Sequence, residues 1–192
     1  DRYTARDFAI NYLESCAPNA IIFTQGDNDT YPLWYAQEVE GVRPDIRIIN
    51  LSLLGVDWYI DQLRYKTNEA APLKMSFTKE QLQGGKRDVT RFKADPRIPQ
   101  GAPQDLKRVL KFIASEKPED KVMYQSGESE NYLPVRNFFL DIDPARARAM
   151  NMLSADEDSL MVSRLEWTIS NNALLKNDLM TLDIIANNIM ER

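Results

Sequence analysis

The sequence predicts an α/β fold, and three observations carry that reading. Two short apolar runs, residues 20–24 and 46–52, have the length and composition of buried strands. Between them lies an amphipathic segment closed by Gly41, a good residue for ending a helix. The whole strand–turn–helix–strand stretch fits within about 33 residues, the size of a βαβ unit, whose strands are parallel and whose crossover is right-handed. The expectation is therefore a mostly parallel or mixed sheet flanked by helices, with a Rossmann-like βαβ unit in the N-terminal half.

The remaining elements follow in order. Ala5, Phe8, Ala9, Tyr12, Leu13 and Cys16 recur at helical spacing and predict a helix over 4–16, stopped by Pro18. The helix after the first strand is expected from Thr30, as N-cap, to about Glu40. Val56, Ile60 and Leu63 mark another over 56–68. Residues 69–102 read as an irregular excursion, with a short strand at 73–78 and breaks at Gly84, Gly85, Pro96, Pro99 and Gly101. A helix over 103–116, strands at 122–124, 133–139 and 161–169, a short helix opened by Asp143-Pro144, and a last helix over 177–190 with Asn177 as N-cap complete the chain. With 192 residues and 43% hydrophobic content, one α/β domain spanning 1–192 is expected.

Composition excludes whole classes of function. The chain has no histidine, so no Ser-His-Asp triad, histidine base or histidine-ligated zinc is available. Its net charge of −5 argues against a general nucleic-acid binder. Residues 72–102 run the other way, with seven Lys or Arg against three Asp or Glu. That stretch reads as a solvated basic loop or as a contact for anionic headgroups or phosphate. The single Cys16 forms no internal disulfide and falls on the apolar helix face, as a buried structural thiol. No apolar run approaches the roughly 18 residues that span a bilayer, so the chain itself is expected to be soluble.

The main chemical candidate is the acidic turn Gly26-Asp27-Asn28-Asp29-Thr30. Ligands of parallel α/β sheets bind beyond the carboxyl ends of the strands, where this turn is expected. Gly26 permits a tight turn, and the following helix start offers free N–H groups. Two readings stand: the carboxylates hold a cation or sugar hydroxyls, or they cap the helix and complement its dipole. Asp27 and Asp29 are the candidate ligands of a divalent cation, although an EF-hand is excluded by Pro32 where the loop needs glycine. Asn50, Ser52, Asp57 and Trp58 follow the second strand and are expected to flank the turn, a carboxylate beside an aromatic face being a common sugar-binding device.

Two stretches carry a resemblance. The run Ser15-Cys16-Ala17-Pro18-Asn19-Ala20-Ile21-Ile22-Phe23-Thr24-Gln25-Gly26-Asp27-Asn28-Asp29-Thr30-Tyr31-Pro32-Leu33-Trp34-Tyr35, then Asn50-Leu51-Ser52-Leu53-Leu54 with Asp57-Trp58-Tyr59-Ile60, is distinctive. Lys176-Asn177-Asp178-Leu179-Met180 through Ile189-Met190-Glu191-Arg192 fits with them. These resemble the extracytoplasmic region of a bacterial polytopic membrane family of unknown function related to protein O-mannosyltransferases. The resemblance implies a fragment of a larger, glycosyltransferase-like membrane protein, at the periplasmic face of the bacterial inner membrane. Its partners would be the membrane portion of the same polypeptide and a glycan, a lipid-phosphate sugar or an acceptor protein. In such transferases the catalytic acid lies in the membrane portion, so no catalytic residue carries over to this chain.

The leading expectation is an accessory, ligand-binding domain with its site at 26–30. The alternatives are a metal-dependent sugar transferase or hydrolase using Asp27 and Asp29, and a structural platform for protein contacts.

Overall fold

The computed structural model describes residues 3–150 and 155–191. The chain forms two compact units, residues 1–73 and 74–191.

The first unit runs α1 (Thr4–Glu14), β1 (Ile21–Thr24), α2 (Gly26–Glu38), β2 (Arg47–Asn50), a 3-10 turn at Leu53–Gly55 and α3 (Asp57–Gln62). β1 and β2 pair in parallel, with Ile21 opposite Arg47 and Thr24 opposite Asn50. The α2 crossover expected from the two apolar runs is present. Strand side chains alternate between faces. Ile22, Ile46 and Ile48 therefore share one face and pack with Ala9, Leu13, Leu33 and Ala36 of α1 and α2. On the other face, the Arg47 guanidinium donates to the carbonyls of Gln62 and Tyr65, at the end of α3 and just beyond it. Gly41 has φ +69, as its expected role after a helix requires, and the Val42 N–H returns to the Ala36 carbonyl at 2.9 Å.

A polar staple closes this unit. The Arg43 guanidinium donates to the carbonyls of Leu13, Cys16 and Ala17 at the end of α1, and to both oxygens of Asp45. Asp45 also accepts the Asn19 N–H at 2.7 Å. The carbonyls of Leu13 and Ala17 also accept the backbone N–H groups of Cys16 and Ala20, so Arg43 adds a second donor to two carbonyls and caps the third from a distant loop. The Arg43 guanidinium lowers the Asp45 carboxyl to about 2. Cys16 is only partly buried, not sealed in the core as expected, and its thiol donates to the Tyr12 carbonyl at 3.3 Å.

The second unit contains α4 (Lys79–Leu82), β3 (Val89–Arg91), β4 (Gln104–Asp105), α5 (Leu106–Ile113), β5 (Lys121–Met123), β6 (Ser129–Asn131), β7 (Asn137–Asp141), α6 (Pro144–Ala149), β8 (Arg164–Thr168), β9 (Ala173–Leu175) and α7 (Lys176–Asn188). β3 pairs antiparallel with β9, and β5 with β6. β7 is central in a three-stranded sheet, parallel to β4 and antiparallel to β8.

The expected mostly parallel, Rossmann-like sheet is therefore corrected. Among the described residues, strands fall into separate sheets of two or three strands, and three of the five pairings are antiparallel. A parallel sheet grows by helical crossovers that cover both of its faces. Among the described residues two parallel pairs have a helix in the crossover, β1–α2–β2 and β4–α5–β7, and they lie in separate sheets. The later strands are two to five residues long, and β8 leaves nearly every residue exposed, so they cannot be the buried strands of such a sheet.

The expected strand at 73–78 is also absent. Its backbone instead meets side chains of α7. The Lys74 N–H donates to Asn188 Oδ1 at 3.0 Å, and the Ser76 N–H to both oxygens of Asp183 at 3.0 and 3.1 Å. Asp183 is fully buried. Asn177 is not an N-cap: α7 starts one residue earlier, and Asp178 accepts the Leu175 N–H.

Candidate functional site

Sequence reasoning places a loop at 26–30 and a helix after it. The structure makes those residues the first turn of α2. Gly26, at φ +69, makes the sharp entry from β1, a conformation that any side chain would strain. Thr30 is not the N-cap. It is fully buried, donates to the Gly26 carbonyl at 2.6 Å and shares a 2.7 Å bond with the Thr24 hydroxyl. This pair of hydroxyls welds the end of β1 to the start of α2.

Asn50 plays the matching part at the end of β2. It is 1% exposed. Its Oδ1 accepts the N–H groups of Ser52 and Leu53 at 2.9 and 3.4 Å, and its Nδ2 approaches the Gly26 carbonyl at 3.5 Å. Its own N–H donates to the Tyr59 hydroxyl at 2.9 Å. Gln25 Nε2 donates to Ser52 Oγ at 3.2 Å across the same corner. The structure therefore brings Gly26, Thr30, Asn50 and Ser52 together, with Thr30 and Asn50 committed to holding the backbone.

The groups facing solvent are Asp27 and Asn28, with Asp29 half-buried. They stand at the N-terminus of α2, where the helix dipole favours negative charge. The Tyr31 hydroxyl bonds to the Asp27 carboxylate one turn on, which raises the Tyr31 pKa. Tyr31 and Trp34 stack with ring centroids 5.6 Å apart. After β2, Asp57 is half-buried at the start of α3, and Trp58 is 58% exposed, its ring edge-on to Tyr59 at 5.8 Å. Among the described residues, no three His, Cys, Asp or Glu side chains gather as a metal site.

The basic stretch 72–102 is largely paired internally. Arg87 is buried and donates to the carbonyls of Ile113 and Gln81 and to Glu116. Lys74 pairs with Glu191, Arg91 with Glu130, and Arg97 with Asp95 and Asp120. Asp95, 1% exposed, accepts from Arg97 and from the Tyr132 hydroxyl at 2.7 Å, which holds its carboxyl far below the ordinary range. Sequence reasoning did not find Asp95, Asp183, Arg43 or Gln37. The available signal was a polar residue at a position the helical or strand pattern assigns to the core, as with Gln37 beside Leu33 and Ala36.

Comparison with known proteins adds kinship to this geometry. Residues 5–192 match the family described as TMEM260-associated domain 2. The chain belongs to that family. A 56-residue stretch is 34% identical to the mouse (Mus musculus) protein O-mannosyl-transferase TMEM260. The match covers 29% of this chain and 8% of that relative, so it spans a small part of the curated protein. No solved structure matches the chain. The relation to protein O-mannosyl-transferases read from residues 15–60 and 176–192 thus holds for this TMEM260-associated domain. Among its described residues, no helix is long and apolar enough to cross a membrane.

Proposed function

We propose that the chain is an accessory, ligand-binding domain of a glycosyltransferase-like membrane protein, and that it works on the extracytoplasmic side, in a bacterium the periplasmic side. Its site is the corner where β1 and β2 end: Gly26, Asp27, Asn28, Asp29 and Thr30 with Asn50, Ser52, Asp57 and Trp58. The ligand is an acceptor, a glycan or the headgroup of a lipid-phosphate sugar donor.

One observation carries this reading. The corner is built rigidly from inside, by Thr24, Thr30 and Asn50, while its outer carboxylates and amide face solvent. A helix start that needed only capping would not require that buried frame. Exposed carboxylate and amide groups suit sugar hydroxyls, which donate to the first and exchange bonds with the second, and an exposed indole, as Trp58 presents after β2, suits a sugar's C–H face.

The test is a thermal-shift titration of the chain with short mannosides and lipid-phosphate sugar headgroups, with and without Mg²⁺, Mn²⁺ or Ca²⁺. A ligand at about 100 times its dissociation constant adds roughly 2.7 kcal/mol of stability. A shift that Asp27→Ala/Asp29→Ala abolishes supports the corner. A shift unchanged in that variant removes the site from it.

A further inference from the structure

The parallel ladder of the first unit has an open edge. Arg47 and Leu51 send their N–H groups to β1, to the carbonyls of Ala20 and Thr24. Alternation in a ladder then turns the peptide groups of Ile46, Ile48 and Asn50 the other way. Two of these are covered by side chains. Gln37 Nε2 donates to the Ile46 carbonyl at 2.9 Å, and the Asn50 N–H donates to the Tyr59 hydroxyl at 2.9 Å. Such caps prevent a further strand from adding to the edge. Between them, the Ile48 N–H and carbonyl have no partner assigned among the described residues, and they border a cavity.

That cavity measures about 270 Å³ and lies wholly within the first unit. Trp34, Gln37, Ile48, Tyr59, Gln62 and Asn68 are among the residues that line it. Its outer wall is a fixed turn. Thr67 and Ala70 exchange two backbone bonds, the Glu69 N–H donates to the Pro44 carbonyl, and Asn68 Nδ2 donates to Glu38 at 2.6 Å. Asn68 sits at φ +51, a conformation that asparagine tolerates better than most residues.

The decisive group is Gln37. It is 8% exposed, and its Nε2 donates both hydrogens, to the Arg43 carbonyl at 2.7 Å and the Ile46 carbonyl at 2.9 Å. Both partners are carbonyls, so the amide cannot be flipped. Its Oε1 therefore points away from them, toward the cavity it lines, and accepts no hydrogen bond among the described residues. Oε1 is not among the buried side-chain atoms that lack a partner, so it keeps contact with solvent and can accept from water or from a ligand hydroxyl that replaces water.

We propose that the cavity at the open edge of β2 binds one neutral hexopyranose unit, with its hydroxyls on Gln37 Oε1 and the Ile48 peptide groups and a C–H face against the Trp34 or Tyr59 ring. Size supports a single sugar, because drug-sized ligands occupy roughly 300–1,000 Å³. Polarity supports it too. The lining joins the Trp34 and Tyr59 rings to amide groups, its two charged side chains being engaged already, Glu38 by Asn68 and Arg47 by the Gln62 and Tyr65 carbonyls, and a sugar ring presents both an apolar face and hydroxyl edges. An anionic ligand would meet a unit in which residues 1–73 carry eleven Asp or Glu against six Lys or Arg. The cavity lining shares no residue with the corner at 26–30, so this site stands or falls separately from the function proposed above.

The test follows ¹H–¹⁵N spectra of the full 192-residue chain titrated with methyl α-D-mannopyranoside into the tens of millimolar. Saturable shifts at the Ile48 amide and the Gln37 side-chain amide are expected. Gln62→Phe fills the cavity from an exposed helix position. It should weaken binding by about tenfold or more while leaving the melting temperature unchanged. Asp27→Ala/Asp29→Ala should bind the hexoside as tightly as the unsubstituted chain. Absence of saturable shifts overturns the proposal. So does binding that survives Gln62→Phe but fails in the double variant, which would move the sugar to the corner. Saturable binding of N-acetylglycinamide in place of the hexoside would overturn the sugar assignment.

Discussion

Both units bury a guanidinium that bonds distant carbonyls, Arg47 in the first and Arg87 in the second, but among the described residues only the second buries carboxylates, Asp95 and Asp183. In residues 74–191 charged side chains are buried and act as internal joints: Arg87, Lys176 and Asp183 each bond main-chain groups far away in sequence, and Asp95 accepts from the distant Tyr132 hydroxyl. In residues 3–73 the buried polar groups Thr30 and Asn50 frame a corner where Asp27 and Asn28 face water, and Gln37 donates to two carbonyls beside the cavity it lines. The lesson concerns what small sheets need. Strands of two to five residues bury little apolar area. The second unit makes up the difference with charge-assisted hydrogen bonds to its irregular segments, which are stronger than neutral ones. The first unit has a continuous helix-on-sheet core and leaves Asp27 and Asn28 facing solvent.

Substitutions can break that contrast, and the largest effect is expected in the second unit. Asp183→Ala removes the acceptor of the Ser76 N–H and of the Asn187 amide at a fully buried position. It should cost about 3 kcal/mol, read as a lower midpoint in urea unfolding; a loss within about 0.5 kcal/mol would deny that buried charge holds this unit together. In the first unit Arg43→Ala removes a donor from three carbonyls after α1, two of which keep a backbone donor, and the partner of Asp45, and should cost about 2 kcal/mol by the same measurement.

Acid should separate the units. Asp45 and Asp95 both have folded pKa values below the ordinary carboxylate value, Asp45 at about 2 and Asp95 lower still. A depressed carboxyl contributes stability above its unfolded pKa of about 4, and that contribution is lost as pH falls through the folded value. Unfolding followed from pH 4 downward should show the Asp45 contribution fading toward about pH 2, with the Asp95 part persisting to more acidic solution. Arg43→Ala should abolish the first phase only. A stability flat over this range in the unsubstituted chain would contradict both assignments.

The smallest effects are expected at the solvent-facing corner. Asp27→Ala should change stability by less than about 0.5 kcal/mol, since its carboxylate is exposed, yet weaken ligand binding; a large stability loss would make the corner a frame and not a site. Cys16→Ser should also be mild, under about 1 kcal/mol, because the new hydroxyl can keep the bond to the Tyr12 carbonyl and the position is only partly buried.

Residues 20–50 show how far local pattern reaches. Two apolar runs and the helix between them specified β1, α2, β2 and their parallel pairing, because a short crossover leaves little topological choice. The frame of the corner was also partly legible, in Gly26 and Asn50. The later runs at 122–124, 133–139 and 161–169 announced strands without naming partners. β7, for example, lies between β4 and β8, which are far from each other in sequence. Nothing local to 73–78 shows that its N–H groups find Asp183 and Asn188 instead of a neighbouring strand.

The sequence by itself determined the apolar periods, the turns, the charge balance, the lack of histidine chemistry and the first βαβ unit, all properties of neighbouring residues. The tertiary structure alone decided which short strands pair, which polar side chains are buried, and that the edge of β2 opens onto a cavity. Those depend on long-range closure, where a single buried carboxylate or amide can replace a strand as the partner of a peptide group.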